Sequence, residues 1–211
     1  MLTGFFRRSP RKNDAPPPAE QTNDVIVTSK VLPRFLSALA QQSAPVLIDL
    51  GSVVGPNVGF FGERLGCKIH VEDLLADVEA HTRLGERDRL PQFLGTRLTQ
   101  PDDSVDGILC WDLFDLLDKR AGQVLAARLS QLLRKGGALY GFFGTTAVDL
   151  DSVSRFLIDA ENRLRLRPMP ITPVRRNVLV TRDIIKMFPG LIVAESVLLK
   201  SNTRETLFRK P

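Results

Sequence analysis

Short uninterrupted apolar runs alternate along most of this chain with stretches of helical periodicity. Val46 to Leu50, Cys67 to Val71, Asp106 to Trp111 and Ala138 to Phe143 read as parallel strands, because a strand covered on both faces is apolar on both. Helical spacing predicts helices over Leu32 to Gln42, Pro56 to Leu65, Asp73 to Leu84 and Arg120 to Leu133. Pro33 and Pro56 suit first turns, and Gly66 and the Gly136–Gly137 pair suit the positions after a last turn. A further strand is expected near Gln92 to Leu98, although its alternation is poor and Gly95 interrupts it. Strands alternating with helices predict a three-layer, doubly wound α/β fold with a mostly parallel sheet.

The pattern changes after Phe143. Ser154 to Asp159 and Arg163 to Arg167 predict a hairpin joined across Ala160, Glu161 and Asn162. A proline-rich link (Pro168, Pro170, Pro173) follows, then a short helix from Thr181 to Phe188 with Thr181 as its cap. Leu191 to Leu199 and Glu205 to Arg209 predict two closing strands around a turn at 201–203. At the other end, residues 1–23 carry Pro16, Pro17 and Pro18 in a polar, basic context that predicts a disordered tail. One domain is expected over 24–211, with Val25 to Val27 as a short extended entry.

Acids end the apolar runs. Asp49 closes the first, with Gly51 and Gly55 just beyond it. Glu72 and Asp73 close the second, 23 residues after Asp49. Nucleotide-binding folds hold ribose hydroxyls with an acid roughly 20 residues past the glycine turn. Asp73 is equally suited to cap the following helix, which leaves Glu72 for the ribose. Asp112 and Asp115 follow the fourth strand, where open α/β sheets bind ligands. Trp111, the sole tryptophan, suits either an adenine platform or the core.

The segment Asp49-Leu-Gly-Ser-Val-Val-Gly55 resembles the first motif of class I S-adenosylmethionine-dependent methyltransferases. The segments Pro101 to Leu113 and Leu132 to Tyr140 resemble that family's fourth- and fifth-strand regions, in the same order. The resemblance covers about Val46 to Phe143 and implies a seven-stranded sheet with antiparallel C-terminal strands, the hairpin being an addition after strand five. It implies S-adenosylmethionine as cofactor, held by Asp49, Gly51, Ser52, Gly55, Glu72, Asp73 and Trp111, with Asp112 as the candidate catalytic acid or base. Two positions depart from the family: Val53 stands at the middle glycine, and Leu94 stands where many members carry an acid for the adenine amino group. A catalytically silent, methyltransferase-like binding or scaffold module is therefore the alternative to methyl transfer.

Composition narrows the partners. The net charge of +5 includes a contribution of +2 from residues 1–23, and seven arginines from Arg155 to Arg182 face only Asp159 and Glu161 in sequence. Arg163, Arg165 and Arg167 alternate with leucines, which predicts one arginine face able to hold an anionic acceptor through bidentate contacts, or else an ordinary solvated face. A small-molecule or anionic acceptor is expected, with nucleic acid not indicated and oligomeric state open. No apolar run approaches the ~20 residues of a membrane span. The N-terminus lacks the apolar length and small-residue cleavage site of a signal peptide, and Cys67 and Cys110 fall in core strands as reduced residues, so a cytoplasmic protein is expected. His70 and His81 stand at no ligand spacing, so no metal is expected. A Gly-x-Gly-x-x-Gly fingerprint and a Gly-Lys-Ser/Thr phosphate loop are both absent, which argues against nicotinamide-dependent oxidoreductases and phosphate-loop NTPases.

Overall fold

The computed structural model describes residues 24–211; the tail expected over 1–23 lies outside the described residues. Two sheets organise the chain. The larger contains β2 (Val46–Asp49), β3 (Lys68–Val71), β4 (Val105–Trp111), β5 (Leu133–Gly144), β8 (Ile192–Leu198) and β9 (Thr203–Arg209), in the order β3-β2-β4-β5-β9-β8. The first four pair in parallel, and β9 and β8 close the sheet antiparallel. The smaller sheet, ordered β1-β7-β6, contains β1 (Val25–Thr28), β6 (Asp149–Ala160) and β7 (Arg163–Arg175), all antiparallel.

The main sheet is buried on both faces. Every residue of β4 is buried, and its side chains alternate between two cores: Ile108 and Cys110 face one, Leu109 and Trp111 the other. The first core is covered by α3 (Leu74–Arg83), α4 (Leu90–Arg97), α5 (Lys119–Leu132) and α6 (Thr181–Met187). The second is covered by α1 (Leu32–Ala40), whose Leu32, Phe35, Leu36 and Leu39 form one stripe, and by the smaller sheet. Near it α2 (Gly55–Gly59) runs on into a π-helical turn, Phe60–Arg64.

Among the described residues, six strands rather than seven make the main sheet. The strand expected near Gln92 to Leu98 is the helix α4, entered through Pro91 in its first turn. Leu90, Leu94 and Leu98 are buried at a spacing of four, so the weak two-residue alternation there reflects a helical period. The expected proline-rich link also differs, because Pro168, Pro170 and Pro173 lie inside β7. Strand β1 pairs with β7 only as far as Leu166, so the rest of β7 is an edge, where proline costs no ladder bond. Thr181 begins α6 but does not cap it; the cap position is Val180, with no side-chain bond.

The smaller sheet is pinned against the carboxyl ends of the parallel strands. Asn57, buried on α2, donates its amide to the Phe156 carbonyl and accepts the Ile158 N–H, both at 2.8 Å. Glu79 on α3 accepts from the Thr172 backbone N–H at 3.0 Å and from its hydroxyl at 2.7 Å. Ser29, just after β1, donates its hydroxyl to the buried Glu205 of β9, which also accepts from Tyr140. Replacing Asn57 with alanine strands one buried N–H and one buried carbonyl, so Asn57→Ala is expected to lower stability by about 2–4 kcal/mol. Hydrogen exchange at Ile158 should accelerate more than exchange in β4; equal protection of the two would show that Asn57 does not fasten the hairpin.

Candidate functional site

Because β2, β3 and β4 run parallel, their terminal acids share one edge of the sheet. Asp49 is in register with Val71 on one side and Leu109 on the other, so Asp49, Glu72 and Asp112 line that edge together. Two residues there hold left-handed backbones, Asp73 at φ 41° and Trp111 at φ 49°. Such conformations cost side-chain-bearing residues about 1–3 kcal/mol and concentrate at ligand sites and switches.

Asp49 is spoken for within the chain. Its Oδ1 accepts from the Gly51 N–H at 2.9 Å and from the Trp111 indole N–H at 2.7 Å. Burial pushes its carboxyl up to about 6, against the pull of those two donors. The indole lies so close over Gly51 that a Cβ there would fall 2.7 Å from Trp111 Cδ1. On its outer side the indole stacks on Phe156 of β6, with ring centroids 4.8 Å apart and an interplanar angle of 11°. Phe142 continues the stack beyond Phe156 at 5.0 Å and 17°. The cleft between Gly51, Ser52, Cys110, Asp112 and Phe156 is thereby reduced to about 10 Å³, space for a single water.

Glu72 is likewise held. Its Oε2 lies 2.8 Å from Arg97 Nη1, its Oε1 accepts from the Gln100 amide, and its backbone carbonyl accepts from Arg97 Nη2 at 2.8 Å. Asp73, one of the two acids, caps α3 by accepting the Ala76 N–H, whereas Glu72 serves no helix cap and is bound by Arg97 and Gln100. Val53, at the motif's middle glycine position, is 64% exposed and does not line the closed cleft. Leu94 belongs to the α4 core, and with no strand in that position the alignment that set it at an adenine site is lost. Gly55 opens α2, and nothing lies within 4 Å of where its side chain would stand.

Asp112 and Asp115 form a second acidic group beyond the indole. Burial, then the nearby Asp115, raises the Asp112 carboxyl to about 7, against the pull of backbone N–H groups, of which that of Ser154 stands 3.4 Å away. Asp112 is half-buried and lines the closed cleft. Asp115 accepts the Gly144 N–H at 2.8 Å and lies 2.9 Å from Arg176 Nε; burial still lifts it to about 6.

The arginine face expected on the hairpin is present but not unpaired. Arg163 and Arg165 pair with Asp159, and Arg165 and Arg167 pair with Asp24. These side chains are 39–51% exposed, on the face of β7 opposite Leu164 and Leu166, which pack inward. The premise for anion capture, a single-sign face without acidic partners, is overturned: strand pairing brings in Asp24, which no local window reveals. Sequence reading also missed Phe156, Asn57 and Arg176. Phe156 carried a faint signal as an aromatic in a strand placed just after the family-like region; the other two carried none. Among the described residues, no group of three or more His, Cys, Asp or Glu side chains is placed to hold a metal ion.

No protein-family model and no curated protein sequence matches this chain. Solved structures do match. The PH0226 protein from Pyrococcus horikoshii OT3 aligns over 84% of this chain and 89% of its own, at 13% identity and a TM-score of 0.51. The CcbJ methyltransferase from Streptomyces caelestis aligns over 85% and 94%, at 16% identity and a TM-score of 0.50. At these identities the likeness is one of fold alone.

Proposed function

We propose that this chain is an S-adenosylmethionine-dependent methyltransferase whose cofactor cleft is closed in the ligand-free state. The observation that carries this is the convergence of Asp49, Gly51, Glu72 and Asp112 at one carboxyl edge of a methyltransferase-type sheet. In chemistry the edge suits the cofactor. Glu72 retains lone pairs for ribose hydroxyls, and at the far end of the loop nothing crowds Gly55, although the indole covers Gly51. In volume it does not: cofactor sites occupy about 300–1,000 Å³, against about 10 Å³ here. Trp111 and Phe156 must therefore leave before the cofactor enters. Asp112, standing next to the cleft with a carboxyl titrating at about 7, is the group placed to hold a proton lost by an acceptor.

The filled cleft is also the specific observation in favour of a second reading, a silent module in which Trp111 replaces the ligand permanently. Isothermal titration of the full chain with S-adenosylmethionine separates the two. Saturable binding, weakened by Glu72→Ala by about 1.5–3 kcal/mol, is expected for the methyltransferase. No heat at millimolar ligand, in the wild type and in a variant with the indole removed, would leave only the silent module.

A further inference from the structure

A second cavity adjoins the closed cleft. It has a volume of about 260 Å³ and lies beneath the smaller sheet, against the ends of β4 and β5. Asp112, Ser154 and Phe156 line both spaces and form the partition between them. Its apolar lining comes from Val27, Phe142, Phe156, Leu166 and Leu199. Its charged lining is Asp112, Asp115 and Arg176, joined by Ser154, Ser201 and Thr203.

The charges there are unequal. Asp115 and Arg176 neutralise each other across 2.9 Å, and the Gly144 N–H takes the other oxygen of Asp115. Among the described residues Asp112 has no cation within ion-pair distance: Arg176, engaged by Asp115, acts on it from further off, and backbone N–H groups are its donors. An ionised carboxylate in that position carries a poorly compensated charge into a space large enough for a ligand of about ten heavy atoms. A carboxylate or phosphate would meet this charge head-on, whereas an ammonium group would relieve it with a charge-assisted hydrogen bond. The stacked Phe142 and Phe156 rings suit the apolar body of the same ligand.

We propose that this cavity binds a small primary or secondary amine with an aromatic or aliphatic body, its nitrogen on Asp112 and its body between Phe142, Leu166 and Leu199. Binding itself does not depend on the cofactor reading; only the amine's designation as methyl acceptor rests on it, through the partition shared with the cleft.

Phenethylamine, 2-phenylethanol and 3-phenylpropionate share one body and differ in the group that would meet Asp112. Each is titrated into the full chain at about pH 8, above the value of about 7 to which burial raises the Asp112 carboxyl, and followed by isothermal titration calorimetry. The amine is expected to bind at least about tenfold more tightly than the carboxylate, with the alcohol between them. Asp112→Asn should remove that preference, and Leu199→Trp, which fills the cavity, should abolish binding of all three probes. Melting curves establish that each variant is folded; if Asp112→Asn is not, the wild-type order of affinities and its loss in Leu199→Trp decide. Equal binding of the three probes, a preference for the carboxylate, or no binding would overturn the proposal. S-adenosylmethionine is titrated separately without amine. Amine binding without cofactor binding refutes the methyltransferase reading alone, and cofactor binding without amine selectivity refutes only the cavity's assignment.

Discussion

Replacing Trp111 with alanine is expected to destabilise the chain while making it bind S-adenosylmethionine better. The indole is 5% exposed, stacked on Phe156 and bonded to Asp49, so its loss should cost about 3–5 kcal/mol in urea unfolding, the range for removing a large core aromatic. The same change vacates the volume above Gly51 and frees Asp49 Oδ1 for a ligand. A protein whose competent state is rare binds with an apparent affinity reduced by that rarity, so opening the cleft should raise affinity by about tenfold or more. An indole that served as an adenine platform predicts the opposite sign. Titration of Trp111→Ala that gives equal or weaker binding would sink the plug and restore the platform.

Asp115→Ala should be comparably destabilising for a different reason. Arg176 is 18% exposed along its side chain and lies flat over Gly144, where any Cβ would come within 2.5 Å of it, so it cannot turn out easily to solvent. Alanine leaves that guanidinium without its counter-charge and the Gly144 N–H without its acceptor, a loss of about 3–5 kcal/mol in equilibrium unfolding at neutral pH. Asp115→Asn keeps an acceptor and should cost less. The pH dependence has a definite sign. Burial raises Asp115 to about 6 from 3.8, so between those values the folded chain holds more protons at this group than the unfolded chain. Its contribution to stability therefore falls as pH rises from about 4 to about 6, and Asp115→Asn should remove that part of the slope. A wild type and an Asn variant with identical pH profiles would show that Asp115 ionises as it does in the unfolded chain.

The parallel strands and their acids were legible because each signal is local. Val46 to Asp49 and Val105 to Trp111 are apolar on both faces, and an acid after such a run needs no tertiary knowledge to be placed at a sheet edge. The strand expected at Gln92 failed because Leu90, Leu94 and Leu98 are too few to separate a helical period from a broken alternation. Pairing was the other blind spot. Asp24 meets Arg167 and Phe156 meets Trp111 across separations no sequence window spans, so the arginine face looked unpaired and the cleft looked open. Val53, the most conspicuous departure in the motif, is exposed, while the cleft is filled by Trp111, a residue that suited either the core or an adenine platform.

Strand β1 has a consequence for how this chain is made. Val25 and Ile26 are more than half exposed even when paired, and their partners are Leu166 and Arg165. A ribosome adding about 5–20 residues per second needs on the order of ten seconds to deliver those partners. Throughout that interval β1 is an unpaired apolar edge, while the parallel strands that follow it are already emerging. The first strand of the smaller sheet to be synthesised thus waits for the last, and the cover over the cleft closes only once that last strand has emerged.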